Sequence, residues 1–186
     1  VNRLYDAGRT WSLDYFETIY QRLGTKFDFY FFESEMAALG KEIVEEFLKK
    51  QIFTESDGAV VFKGEAHGLH TRVFLNSQGL PTYEAKELGL AKAKYDKYKF
   101  DQSVVITANE QTEYFKVVMK SMEFVFPELA PKIKHISHGL LMLPTGKMSS
   151  RTGDVVAAED LISDIEAKVN EKLIDRPLSK NQKNEN

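Results

Sequence analysis

An α/β fold built on a parallel sheet is the class this sequence predicts, and three observations carry the prediction. Short apolar, β-prone runs alternate with longer segments whose apolar residues recur at helical spacing. Glycine, proline and polar clusters separate them. At 186 residues the chain can bury a core without disulfide or metal staples. Strands alternating with amphipathic helices pair in parallel and are covered by helices on both faces. In such sheets ligands sit at the carboxyl ends of the strands, where loops enter the following helices.

In order along the chain, Ser12 is a candidate cap for a helix whose apolar positions are Leu13, Phe16, Ile19, Tyr20 and Leu23, with Gly24 placed to end it. A strand fits Phe27 to Phe32. Ser34 is the next candidate cap, and Met36, Leu39, Ile43, Phe47 and Leu48 line one helix face ahead of Lys49 and Lys50, cations suited to a helix's negative end. From about Gln51 to Glu65 the pattern changes to short strands, with Ser56-Asp57-Gly58 as the turn and Ala59 to Lys63 as a strand. We read a small β-containing insertion at about 51–70. Thr71 to Asn76 reads as a strand, Ser77 to Pro81 as its exit loop, and Thr82 to about Tyr98 as a helix. Ser103 to Ala108 is a further strand. Gln111 to Phe126 is a helix whose buried stripe is Phe115, Val118, Met119, Met122, Val125 and Phe126, ended by Pro127. A last helix fits Glu159 to Ile174, with Leu161, Ile165, Val169 and Leu173 at helical spacing, and the residues from Leu178 on form a polar tail.

Composition narrows the function classes. A net charge of -3 excludes a basic nucleic-acid patch as the main feature. With no cysteine there are no disulfides or thiolate metal sites, which leans toward a reducing compartment. No apolar run approaches the roughly 20 residues a membrane span needs, and no signal-peptide pattern opens the chain. A cytoplasmic location and no membrane partner are expected. The chain opens on Val1 without an obvious domain start, so we expect a piece of a longer protein.

The densest chemistry lies in Gly146-Lys147-Met148-Ser149-Ser150-Arg151-Thr152-Gly153. A polyphosphate leaving group builds negative charge as it departs, and a preplaced lysine with hydroxyl and amide donors stabilises it. Lys147 is the counter-charge, with Ser149 and Ser150 as donors. A Walker loop is excluded, because Met148 follows the lysine and the glycine spacing is wrong. The alternative is a solvated turn. Tyr83 and Glu87, four apart at a helix start, put a phenol and a carboxylate on one face, an arrangement that suits a guanidinium. An ordinary surface helix has the same pattern. Gln111, beside Asn109 and Glu110, falls at a strand-to-helix junction where cap residues are also common. Gly139 after His138 lets backbone approach a ligand, although a strand histidine can equally be a packed residue. His67 and His70 lack the carboxylates or thiolates that would complete a metal site, so no protein metal site is expected.

The run from His135 to Val156 resembles the second signature region of class I aminoacyl-tRNA synthetases, and within them of arginyl-tRNA synthetase. The resemblance extends through Gly79-Leu80-Pro81-Thr82-Tyr83-Glu84-Ala85-Lys86 back to Ser12 and Phe16, covering roughly Leu4 to Ile174. It implies the later part of a Rossmann-like, parallel-sheet catalytic domain over 1–157, a connecting helix over 158–176 toward a further C-terminal domain, and a polar tail over 177–186. By resemblance, Tyr83, Glu87 and Gln111 hold arginine; His138, Gly139, Leu140, Lys147 and Met148 bind ATP; and Lys147, Ser149 and Ser150 stabilise departing pyrophosphate with Mg2+. The implied partners are arginine, ATP and tRNA(Arg), the last held mainly by other domains, and a monomer is expected.

This chain departs from the family at four places. Glu87 stands where the family usually has aspartate. Ser150 and Thr152 stand where lysines are usual, which leaves Lys147 as the loop's one lysine. The first signature, His-x-Gly-His, is absent, and His135-Ile136-Ser137-His138 lies too near Lys147 to be it. The chain alone is therefore expected to be inactive. The alternatives are a free-standing nucleotide-binding or regulatory module derived from such an enzyme, and a purely structural domain.

Overall fold

The computed structural model describes residues 2–140, 142–143, 146–147 and 156–174. The chain divides into two compact units, residues 29–140 and residues 1–28 with 141–186. Helix α1 spans Asn2–Arg22. It starts well before Ser12, which therefore caps nothing; its hydroxyl donates back to the Gly8 carbonyl at 2.9 Å from inside the helix. The helix ends where expected. The Gly24 amide donates to Gln21 and the Thr25 amide to Tyr20, the bond pair that closes a helix through a left-handed residue.

The run Phe27 to Phe32 does not form the expected strand. Its β propensity is high, but a strand exists only as part of a ladder, and no ladder partner for it occurs among the described residues. Helix α2, Glu33–Lys49, takes Phe32 as its N-cap, so Ser34 sits inside the first turn rather than before it. The Phe32 carbonyl accepts the Glu35 and Met36 amides instead. Strands β1 (Thr54–Ser56), β2 (Ala59–Phe62) and β3 (Arg72–Leu75) form an antiparallel sheet in that order. The β1–β2 turn falls at Asp57-Gly58 with φ of 49° and 76°, the two-residue geometry whose twist matches the strands. The strand expected at Thr71 to Asn76 thus belongs to this antiparallel sheet rather than to a parallel one.

Beyond β3, the Asn76 side-chain oxygen accepts the amides of Gln78 and Leu80. The Thr82 hydroxyl donates to the Val73 carbonyl at 2.7 Å. Together these bonds fix the start of α3, Tyr83–Lys97. Helices α2 and α3 approach backbone to backbone. A Cβ on Gly40 would lie 2.2 Å from the Ala85 carbonyl oxygen, and one on Gly89 would lie 2.7 Å from that of Met36. Val44, Leu88 and the aromatic trio Phe53, Phe62 and Phe74 fill the core beside this contact.

Strand β4 (Ser103–Ala108) leads through a 3-10 turn, Asn109–Gln111, into α4 (Thr112–Val125), which returns to β5 (Ile133–His138). β4 and β5 are parallel, in register from Ser103 opposite Ile133 to Ala108 opposite His138. Helix α4 buries Phe115, Val117, Val118, Met122 and Val125, with Met119 and Phe126 half-buried. One sheet face is packed: Ser103 and Ile133 are buried, and Val105 and His135 are half-buried. The other face carries Val104, Ile106 and Ile136 at 43, 66 and 42 % exposure. A strand apolar on both sides predicts cover on both sides, and among the described residues only one side has it. In the other unit, β6 (Met142–Leu143) pairs antiparallel with β7 (Gly146–Lys147). There α5, Ala158–Ile174, receives Arg22 through Glu166 at 2.7 Å and Ser163 at 3.1 Å. No described helix is long and apolar enough to cross a membrane.

Candidate functional site

Tyr83 opens α3 and is 65 % exposed, while Glu87 lies one turn further in and is half-buried. Gln111 is the residue on which the 3-10 turn hands over to α4, at the carboxyl end of β4. The fold brings all three onto one cavity of about 660 Å³. The loop exit geometry places α3 here, because the Thr82 bond to β3 sets where its first turn begins. The turn after β4 places Gln111.

Arg72, Glu84, Glu110 and Tyr114 line the same cavity, and reading the sequence for motifs misses them. A signal was available for two: Glu84 follows Tyr83 directly, and Tyr114 stands three residues after Gln111, on the same helix face. The Arg72 guanidinium lies 3.5 Å from the nearly buried Glu84 carboxylate and 5.7 Å from the Tyr114 ring centroid. Burial pushes the Glu87 carboxyl above the usual glutamate range, and the Lys94 ammonium pulls it back. Lys94 is in turn lowered by burial and raised by Glu87, and it donates to the Ser103 hydroxyl at 2.8 Å. Burial, followed by the charges of Glu87 and Glu84, raises the Tyr114 phenol far above its usual range. Behind the cavity, His135 stacks on Phe115 at 4.2 Å and shares a 2.8 Å hydrogen bond with the Thr107 hydroxyl. Three carboxylates against one guanidinium favour a cationic ligand, and a planar one can use Glu87 and the Tyr83 ring together.

His138 ends β5 and is exposed, with Nδ1 2.7 Å from the Gly139 carbonyl; Leu140 is half-buried. A Cβ on Gly139 would meet nothing within 4 Å, so this backbone is open to approach. Lys147 belongs to the other unit, where its backbone pairs with Met142. Its side chain, and Met148, Ser149 and Ser150 entirely, lie outside the described residues. Among the described residues no group of three His, Cys, Asp or Glu is arranged to hold a metal ion. His67 stacks on Phe62 at 5.9 Å.

With this geometry in hand, comparison with known proteins gives a consistent result. The family model described as tRNA synthetases class I (R), catalytic domain, matches residues 5–186. An arginine–tRNA ligase from Amoebophilus asiaticus is 38 % identical over 156 residues, covering 83 % of this chain and 26 % of the relative. One from Porphyromonas gingivalis is 33 % identical over 167 residues, covering 88 % of this chain and 28 % of the relative. The chain thus spans about a quarter of the length of the curated relatives it matches. A solved arginyl-tRNA synthetase from Plasmodium falciparum has the same fold, with a TM-score of 0.73 at 14 % identity, covering 93 % of this chain and 28 % of that one.

Proposed function

Because the chain belongs to the catalytic-domain family of the arginine-type class I tRNA synthetases, we propose that it is part of an arginine–tRNA ligase and supplies that enzyme's arginine pocket. The carrying observation is the cavity that gathers Tyr83, Glu87 and Gln111 at the carboxyl end of β4. Glu87 pairs with the substrate guanidinium, the Tyr83 ring lies beside its plane, and Gln111 hydrogen-bonds at the back. His138, Gly139 and Leu140 bind the nucleotide with Lys147 and Met148. In the whole protein the arginine carboxylate attacks the α-phosphorus of ATP, forming arginyl-adenylate and releasing pyrophosphate, before transfer to tRNA(Arg). Lys147, Ser149 and Ser150 stabilise the departing pyrophosphate, and Mg2+ accompanies ATP without an assigned protein ligand. A substrate held by charge and hydrogen bonds is discriminated by the penalty of leaving the pocket's polar groups unpaired.

Arginine should raise the protein's melting temperature, and citrulline, its neutral isostere, should not. Tyr83→Ala should weaken arginine binding about tenfold, from the loss of ring contact over a partly desolvated cation. A melt indifferent to arginine would overturn the proposal.

A further inference from the structure

A buried hydroxyl without a hydrogen-bond partner is uncommon and costs about 1–3 kcal/mol. Tyr114 carries one. The residue is 9 % exposed, and its phenolic oxygen is buried with no hydrogen-bond partner among the described residues. The ring is fixed, edge-on to Phe115 at 5.0 Å and beneath the Arg72 guanidinium. Several other polar groups nearby are engaged: Arg72 with Glu84, Thr82 with strand carbonyls, Lys94 with Ser103. The Glu87 carboxyl, on the neighbouring helix, is held by no hydrogen bond among the described residues. A donor without an acceptor and an acceptor without a donor therefore line one cavity, and Glu87 is the charge that weighs most on the phenol.

We propose that Tyr114 is a positioning residue for guanidinium recognition, whose hydroxyl donates to Glu87 when that carboxylate closes on the bound guanidinium. The inference rests on reading this cavity as the arginine pocket. A glutamate has one more rotatable bond than an aspartate, and freezing a flexible side chain on binding costs about 0.5–1.5 kcal/mol. A second anchor from a fixed ring reduces that cost by preselecting the productive rotamer. In the empty pocket, burial favours the uncharged carboxyl, a poorer acceptor, and the phenol is left idle. A ligand cation favours the charged form of Glu87 and with it the bond.

Tyr114→Phe in the intact protein tests this. Without arginine, the variant should melt no lower than wild type, and removal of the unpaired hydroxyl can raise the midpoint by roughly 2–4 °C. Calorimetry should show arginine binding weakened about tenfold. The pH at which arginine affinity falls on acidification should also move up, because the charged form of Glu87 has lost a donor while Arg72, Tyr83, Glu84, Lys94 and Glu110 are unchanged. A lower midpoint without ligand would mean that the hydroxyl already has a structural partner, and it would overturn the inference. Unchanged affinity, or weakened affinity with an unmoved pH profile, would also overturn it while leaving the arginine pocket standing. A wild-type protein that binds no arginine would remove the pocket and the inference together.

Discussion

Helix α3 has two faces built on opposite physics. Toward α2 its contact is built on small residues: Ala85 and Gly89 are buried, and Gly40 of the partner helix reaches the α3 backbone directly. Toward the cavity it carries Glu84 and Glu87, carboxylates withdrawn from water, one paired with Arg72 and the other raised by burial. Close packing on the first face leaves no room for a Cβ at Gly40 or Gly89. Changes on the first face should therefore act on stability, and changes on the second on ligand binding.

The largest effect is expected at Gly40→Ala. Alanine gains about 1 kcal/mol over glycine in a helix interior. The added Cβ would lie 2.2 Å from a backbone oxygen that cannot rotate away. Overpacking of this kind costs about 3 kcal/mol when helices must part. Clash outweighs propensity, and a net loss of roughly 2 kcal/mol, or about 4–8 °C in melting temperature, is expected. Denaturant unfolding would check it; an unchanged midpoint would mean that the two helices are not in backbone contact. Arginine affinity measured below the transition should hardly change.

Glu87→Gln reverses this pattern. The folded-state pKa of Glu87 lies above its ordinary value of 4.5 because of burial. Between those two values the native state holds a proton that the unfolded chain has released. Stability contributed by the neutral carboxyl is complete below the ordinary value and is lost as pH rises through the folded one. Removing the titration should leave the protein no less stable at neutral pH, with a flatter stability–pH curve across that window. Arginine binding should fall about 10- to 100-fold, the range for a hydrogen-bonded charge pair. A variant that unfolds more easily at neutral pH while binding arginine normally would place Glu87 with the framework instead.

Legibility in the sequence divides along the same line. Periodicity locates α3 and α4, and their alternation with strands leads to a parallel sheet, of which β4–β5 is a pair, although no range for β5 is read from the sequence. Tyr83, Glu87 and Gln111 could be singled out as candidates because helical spacing and a strand-to-helix junction are local patterns, and the family resemblance, not the spacing, implied their role. Arg72 was not legible, since it reaches the cavity from a strand whose meeting with α3 depends on tertiary packing, and the spacing that puts Tyr114 near Gln111 does not tell that its hydroxyl lacks a partner among the described residues. Gly40 and Gly89 read locally as weak points in helices, and only the partner backbone explains them. Ser12 and Ser34 misled because a hydroxyl serves inside a helix as well as at its cap, and Phe27 to Phe32 misled because propensity cannot supply a ladder partner.

The smallest effect is expected at Gly8→Ala, which isolates propensity from packing. Gly8 lies inside α1, a helix with no buried residue, and a Cβ there would meet nothing within 4 Å. The substitution therefore adds helix propensity with no clash to oppose it, a gain of at most about 1 kcal/mol. Because α1 buries so little, most of the gain should remain local. Amide protection along α1 should rise, while the cooperative unfolding midpoint moves by less than about 2–4 °C. If Gly8→Ala and Gly40→Ala were to shift the midpoint alike, propensity rather than backbone contact would govern both helices, and the tight face of α3 would lose its special role.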